Sequence, residues 1–348
     1  MTDESPARAR TSRMQAILAP WRRPSRLTGL AAGTAGALLV AGVLIGLAFS
    51  ADRQEAERRT SGRSQVIATS FGKIEFAVAG DGPALLMIHG TGGGYDQALT
   101  FTAALRRDGH SVIAPSRFGY LRSDFPDDAS SERQADALAE LLDRLGIERI
   151  PVAGGSAGAL SALQFALRHP TRCSALVLVV PAANVSGSDP VKMTRLQEFF
   201  VRQMAASDLL FWIGLKVRRE AMIKTLLATE PALVRNASDD ERRRVDRILE
   251  EILPVSLRTR GMLNDAKLAG HPAAVDFTKI TVPTLVISVE DDRFGTAATA
   301  RDIAAAVPGS RLLIYPSGGH VWVGHDQDVW SEVAHFLQEP GVVASRTR

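Results

Sequence analysis

The sequence predicts an α/β fold: a mostly parallel central sheet with helices on both faces, a helical lid insertion, and an N-terminal transmembrane helix. Three observations carry this. Short apolar runs alternate with helical segments over residues 84–180 and again over 284–337, the pattern of consecutive βα units. Between them, about 183–278, lies helical sequence with arginine-rich faces and apolar stripes and no strand signal. Ahead of both, residues 27–49 hold no charged side chain and consist mainly of Leu, Val, Ile, Ala and Gly.

About twenty such apolar residues cross the hydrocarbon core of a bilayer. Six arginines precede the run (Arg8, Arg10, Arg13, Arg22, Arg23, Arg26), against four in the twenty residues after it. That asymmetry favours a cytoplasmic N-terminus and a domain on the other side. The alternative is a cleaved signal peptide, because Ala48-Phe49-Ser50 resembles a cleavage site; the run is longer than a usual signal core, which favours a retained anchor. The expected organisation is a basic cytoplasmic tail over 1–26, an anchor over 27–50, a polar tether over 51–64 and a folded domain over 65–340.

Charge follows the same division. Residues 1–63 carry ten arginines and five acidic residues, a net of +5, so the rest of the chain carries −2 of the total of +3. The high isoelectric point therefore belongs to the N-terminal segment and lends no support to nucleic-acid binding by the domain. Cys173 is the single cysteine, which excludes an intrachain disulfide and a cysteine metal cluster. At the start of an apolar strand (CSALVLVV) it reads as a buried, inert thiol.

Within the domain, β-rich runs at 65–70 and 73–79 are joined by a Phe-Gly turn, and Asp81-Gly82-Pro83 breaks the chain before the buried strand 84–89. Residues 95–108 are helical, 111–115 (SVIAP) a strand, 131–145 an amphipathic helix, 149–153 (RIPVA) a strand, 159–169 a helix and 175–180 a strand. After the insertion come strand 284–289, helix 296–306, strand 311–315 and helix 329–337. An insertion placed where the strands of a parallel sheet end forms a lid over the site; the alternative is a second bundle with no part in binding. Its apolar stripe 209–215 (LLFWIGL) either lines a pocket or docks on the membrane or a partner. Exposed Phe211 and Trp212 would mark docking, and the same rings turned toward the site would mark the pocket.

The chemistry centres on Gly154-Gly155-Ser156-Ala157-Gly158, between the strand at 149–153 and the helix at 159–169. A serine on a sharp strand-to-helix turn presents its hydroxyl in the open, and glycines two positions either side avoid collisions at the turn. Ser156 reads as a nucleophile. A serine hydroxyl needs a base to take its proton and a third group to orient that base. His320, in the loop Pro316-Ser317-Gly318-Gly319-His320 after a strand, is the base; His325 reads as a helix-start or supporting residue. The orienting carboxylate belongs on Glu290-Asp291-Asp292, after strand 284–289: Asp292 is the choice and Asp291 the fallback. Two backbone N–H groups must meet the developing oxyanion. Ala157 supplies one, and Thr91, with Gly92 in reserve, the other from His89-Gly90-Thr91-Gly92-Gly93-Gly94. This glycine loop lacks the spacing of a phosphate cradle. The chemistry needs no metal or organic cofactor, and no metal-ligand spacing is apparent.

Ser, Asp and His in that chain order, with the His-Gly loop and the insertion, resemble the α/β-hydrolase fold superfamily over about 65–340. The resemblance implies a Gly-x-x-Asp stretch whose last residue is the catalytic acid; Val289 replaces the glycine and Asp292 takes the acid's place. The proline frequent four residues later in that family is Thr296 here. Gly-Gly-Ser resembles the elbow of proline iminopeptidases, but His-Gly-Thr-Gly-Gly departs from their His-Gly-Gly-Pro-Gly loop. Serine at the nucleophile position argues against haloalkane dehalogenases and epoxide hydrolases. Ser116-Arg117-Phe118-Gly119-Tyr120 replaces the usual Asp-x-x-Gly-x-Gly-x-Ser loop, a change with no explanation in the sequence. The expected function is a membrane-anchored serine hydrolase of a carboxylic ester with an apolar portion. Amidase, peptidase or perhydrolase activity on the same triad, or a non-catalytic ligand sensor, are the alternatives.

Overall fold

A computed structural model describes residues 26–183, 206–270, 275–340 and 342, with side chains from residue 34 onward. The arginine-rich tail before Arg26 and residues 184–205 and 271–274 of the expected lid lie outside the described residues. The chain divides into two units, Met1–Ala51 and Asp52–Arg348. In the first, helix α1 (Arg26–Thr60) carries the apolar run, with Leu38, Leu39, Val43, Leu44 and Leu47 exposed. Among the described residues it is the one helix long and apolar enough to cross a membrane.

The second unit opens with the last turns of α1, where a tether was expected. Residues 52–60 are helical because their charges find partners at helical spacing and across space. Arg58 pairs with Glu55 at 2.8 Å and Arg53 with Glu57 at 3.2 Å. Ala56 is fully buried, and Arg59 donates to the Glu250 carbonyl.

The sheet follows in the expected order: β1 (Gln65–Thr69), β2 (Gly72–Ala79), β3 (Ala84–Ile88), β4 (Ser111–Pro115), β5 (Ile150–Gly155), β6 (Cys173–Val179), β7 (Thr284–Val289) and β8 (Arg311–Tyr315). Their spatial order is β1-β2-β4-β3-β5-β6-β7-β8. The β1–β2 and β2–β4 pairs are antiparallel and the others parallel. The inner strands read as continuous apolar runs because both faces are covered, and β3, β4, β5, β6 and β7 are buried along their whole lengths. The expected helix over 95–108 is two, α2 (Tyr95–Phe101) and α3 (Ala103–Arg107). They part at Thr102, whose hydroxyl bonds back to the Ala98 carbonyl at 2.7 Å, a competition that bends helices. Helices α4 (Ser131–Arg144) and α5 (Gly158–Arg168) pack on the sheet. Cys173 is buried, and burial pushes its thiol up to about 12.

From β3 the chain steps one way to β4, then returns across β3 to β5 and continues toward β8. The loops leaving β3 and β5 therefore diverge at adjacent strand ends, the crevice where open α/β sheets bind ligands. Over this end lie the described helices between β6 and β7: α6 (Asp208–Val217), α7 (Arg219–Leu226), α8 (Pro231–Asn236), α9 (Asp239–Glu250) and α10 (Thr259–Gly270). Phe211 and Trp212 on α6 are buried. The indole of Trp212 donates to Asp52 at 2.8 Å, so the ring is turned to the end of α1 and not outward.

Two buried arginines fasten these helices to the sheet. Arg258, just before α10 and fully buried, donates to the Asp96 carboxylate at 2.6 Å and to the Gly93 carbonyl. Arg117, in the loop after β4, makes two 2.6 Å bonds to Asp265 on α10. The hydroxyls of Tyr120 and Thr91 also donate to Asp265, and Gly261 lies against the Tyr120 ring with no room for a β-carbon. The unusual Ser116–Tyr120 segment thereby acquires a physical account. Its arginine and tyrosine are the core side of the lid's anchorage.

Removing one partner of such a buried pair strands the other. We expect Asp265→Ala to lower the unfolding free energy by about 3–5 kcal/mol in chemical denaturation. Arg117→Met with Asp265→Leu should cost less than Asp265→Ala alone. A second prediction concerns Glu251, whose Oε2 is shut off from solvent and whose Oε1 accepts from Thr100 at 2.7 Å. Burial, then the nearby Asp96 charge, pushes this carboxyl from 4.5 up to about 8. The folded chain thus holds a proton that the unfolded chain releases. The resulting stabilisation is complete below 4.5 and lost as pH rises through about 8. Thermal unfolding across that range should show Glu251→Gln removing part of the decline; an unchanged slope would refute the assignment.

Candidate active site

Ser156 sits at the turn between β5 and α5 with φ of 51°, a left-handed conformation that costs a non-glycine residue about 1–2 kcal/mol. Burying a single large apolar side chain of β5 or α5 contributes about 1.5–3 kcal/mol, so the flanking core holds the strain in place. The turn is fastened to the sheet by Ser156 N–H on the Val179 carbonyl at 3.0 Å, and Ala182 N–H returns to the Ser156 carbonyl at 3.1 Å. Both outer glycines are required by contact. A β-carbon on Gly154 would lie 2.8 Å from the Ala159 Cα and the Gly158 carbonyl oxygen; one on Gly158 would lie 2.4 Å from the Ile88 carbonyl oxygen.

His320 approaches from the loop after β8. Its Nε2 lies 2.9 Å from Ser156 Oγ and its Nδ1 2.8 Å from Asp292 Oδ2. Both His320 and Asp292 are buried, while Ser156 keeps partial exposure. Asp292 also accepts from the Phe294 N–H at 2.9 Å and from the Thr296 hydroxyl. Because Thr296 donates there, the 2.9 Å contact between its oxygen and Ser288 Oγ has Ser288 as donor. Burial alone would raise the Asp292 carboxyl, but the His320 charge and these hydrogen bonds hold it below the usual carboxylate range. Thr296 thus takes up the proline position as a donor to the acid.

Asp291, the fallback, does other work. It accepts from Ser317 Oγ at 2.7 Å, Gly318 N–H at 2.9 Å and Gly319 N–H at 2.7 Å, bracing the loop that carries His320 without touching the imidazole. Gly318 (φ 145°) and Gly319 (φ 64°) supply conformations the loop needs, and Thr229 of the lid packs where a Gly319 β-carbon would be. His325 stands at the N-cap position of the helix Asp326–Leu337, makes no side-chain cap bond, and stacks on Tyr315, the helix-start position expected of it.

The loop after β3 is held by hydrogen bonds along much of its length. Buried His89 accepts the Arg117 N–H at Nε2 (2.9 Å), which leaves Nδ1 to donate to the Gly90 carbonyl (2.7 Å). Burial, then the Arg117 charge, holds it well below the usual imidazole range, and so neutral. Gly90 N–H is taken by Gln97, Gly93 N–H by the Gly90 carbonyl and Gly92 N–H by the Tyr120 hydroxyl at 3.3 Å. Gly92, the reserve donor, is thereby engaged, whereas Thr91 and Ala157 have no backbone N–H partner among the described residues. Phe294, 57% exposed, sets its ring edge-on to His320 at 4.8 Å, and Ile252 of the lid region closes over Gly92. The surface cavities beside Trp212 and beside Arg260 are lined by none of Ser156, His320 and Asp292.

Sequence reasoning missed Thr296, Arg117, Tyr120 and Asp265. The departures from the family loop were the available signal for the first three, and nothing local marks Asp265.

Residues 83–323 match the family model of the alpha/beta hydrolase fold. Among curated proteins, a 2-hydroxy-6-oxononadienedioate/2-hydroxy-6-oxononatrienedioate hydrolase of Pseudomonas putida is 29% identical over 73% of this chain and 87% of its own. A 2-hydroxy-6-oxo-6-phenylhexa-2,4-dienoate hydrolase of Burkholderia cepacia is 25% identical over 71% and 85%. Among solved structures, an alpha/beta hydrolase fold protein from Nakamurella multipartita superposes with a TM-score of 0.61 and 26% identity, covering 79% of this chain and 98% of its own. The sheet order, the turn at Ser156 and the extent of these matches agree: the chain belongs to the alpha/beta hydrolase fold family and is a hydrolase.

Proposed function

We propose that this chain is a membrane-anchored serine hydrolase that cleaves a carboxylic ester, with an apolar acyl or alcohol portion, through an acyl-enzyme. The observation that carries this reading is the continuous relay from Ser156 Oγ through His320 to Asp292, at 2.9 and 2.8 Å. His320 Nε2 takes the hydroxyl proton as Ser156 Oγ attacks the carbonyl carbon, and Asp292 holds the ring and balances the imidazolium. The oxyanion is met by the unengaged N–H groups of Ala157, at the start of α5, and Thr91. His320 then passes the proton to the leaving alkoxide, and water, activated by the same base, releases the acid. An ester is favoured over an amide because the alkoxide leaves more readily. Phe294 and Ile252 supply the apolar wall. The anchored reading rests on the uncharged run at 27–49 and on six arginines before it against four after it.

Turnover of p-nitrophenyl esters of graded acyl length by the full chain, with fluorophosphonate labelling, tests the relay. Ser156→Ala should lose labelling and about 10⁴-fold or more in kcat at unchanged melting temperature. Asp292→Asn should lose about 10⁴-fold, and Asp291→Ala, which only loosens the His320 loop, about 10–100-fold. Full activity in Asp292→Asn beside a dead Asp291→Ala would reverse the roles of the two. Including a 2-hydroxy-6-oxo-dienoic acid in the panel separates the ester reading from the substrates named for the two relatives. For orientation, protease added to intact spheroplasts should remove a C-terminal tag from full-length, membrane-bound chain. A tag protected until lysis would invert the topology, and a shortened chain in the soluble fraction would mean cleavage.

A further inference from the structure

Helix α6 (Asp208–Val217) is apolar on two faces, and among the described residues only one of them is covered. Phe211, Trp212 and Leu215 are buried; Leu209 (40%), Leu210 (42%), Ile213 (38%) and Val217 (70%) are exposed. Positions 209, 213 and 217 recur every four residues with 210 beside them, so they form one continuous stripe. A stripe of this kind is expensive to leave in water, since burying each large apolar side chain is favourable.

What sits opposite the stripe follows from where α6 is held. Trp212 Nε1 donates to Asp52 at 2.8 Å, Lys216 Nζ pairs with the same carboxylate at 2.8 Å, and Arg53 pairs with Asp208 at 3.4 Å. Asp52 and Arg53 are the first charged residues after the uncharged run, Asp52 three positions beyond Phe49. Both ends of α6 are therefore tied to the first two charged residues after the run, close in sequence to the point where the chain would enter the bilayer. Arg218, exposed beside Val217, is placed to reach headgroup phosphates while its stem stays with the apolar stripe.

We propose that the Leu209–Leu210–Ile213–Val217 face of α6 lies in the headgroup region of the same membrane that residues 27–49 span, docking the lid on the lipid surface. This rests on the anchored reading. The depth expected is that of an interfacial helix, about 5–10 Å into the boundary between headgroups and acyl chains.

The test uses the full chain in a Cys173→Ala background, reconstituted into phosphatidylcholine–phosphatidylglycerol vesicles with or without brominated acyl chains. A nitrobenzoxadiazole label is placed by Ile213→Cys, Val217→Cys, Leu39→Cys in the apolar run, or Leu312→Cys, an exposed apolar position on β8. Ester turnover in each labelled protein confirms the fold, with Leu210→Cys as replacement if either α6 variant fails. Bromolipid should quench the labels at 39, 213 and 217 about two-fold and leave 312 unchanged. Quenching at 39 without quenching at 213 and 217 overturns the docking and leaves the anchor standing. A blue-shifted but unquenched label at 213 and 217 also overturns it, the stripe then being covered by residues 184–205 or by a second copy. No quenching at 39 removes the anchored reading, and the proposal with it.

Discussion

At Gly158 the first turn of α5 lies so close to the end of β3 that a β-carbon there would sit 2.4 Å from the Ile88 carbonyl oxygen and 2.5 Å from that of His89. That approach sets the distance between the two loops on which the site is built. One carries Ser156 at a strained backbone angle, with the Ala157 N–H beside it at the helix start. The other carries Thr91. The neighbouring strands β3 and β5 pair in parallel, Ile88 beside Gly154, so both loops leave the sheet at the same level. Moving the helix out by the width of a methyl group would carry Ser156 and the Ala157 N–H away from the Thr91 N–H, parting the proposed nucleophile from one of its two proposed oxyanion donors.

The second constraint is electrostatic. The loop after β3 is glycine-rich and would be pliable alone, yet the N–H groups of Gly90, Gly92 and Gly93, the carbonyls of Gly90 and Gly93, and the Thr91 hydroxyl all have partners, while the Thr91 N–H has none among the described residues. Two of the partners, Asp265 and Arg258, come from the region over the site. A buried ion pair is a weak source of stability, because desolvation offsets most of the attraction. Its value here is geometric. A bidentate arginine–carboxylate pair tolerates little displacement, so it transmits the position of α10 to the loops after β3 and β4.

On the other side of Ser156, the imidazole is placed by adjacent carboxylates with separate tasks. Asp292 meets the ring, while Asp291 gathers the hydroxyl and two N–H groups of the loop that leads to it. The lid enters here too, through Thr229 against Gly319. Its helices thus touch both walls of the crevice, and one end of them is pinned to the residues that follow the apolar run.

Local pattern determined much of this protein. Strand and helix positions follow from the spacing of apolar residues, and a glycine–serine turn between a strand and a helix identified Ser156 without any distant contact. His320 and the pair Asp291–Asp292 were legible from their places after strands. What the tertiary structure decided was every choice between neighbours. Asp292 rather than Asp291 meets His320 because the turn after β7 aims only one of them at the ring. Thr91 rather than Gly92 keeps its N–H unengaged because Tyr120 occupies the other. Asp265 is 148 residues from Arg117, and the charged stretch after the apolar run is helical because its partners sit on α6 and α9. Periodicity reports a residue's own surroundings along the chain; the partner of a buried charge is set only when the chain has folded back on itself.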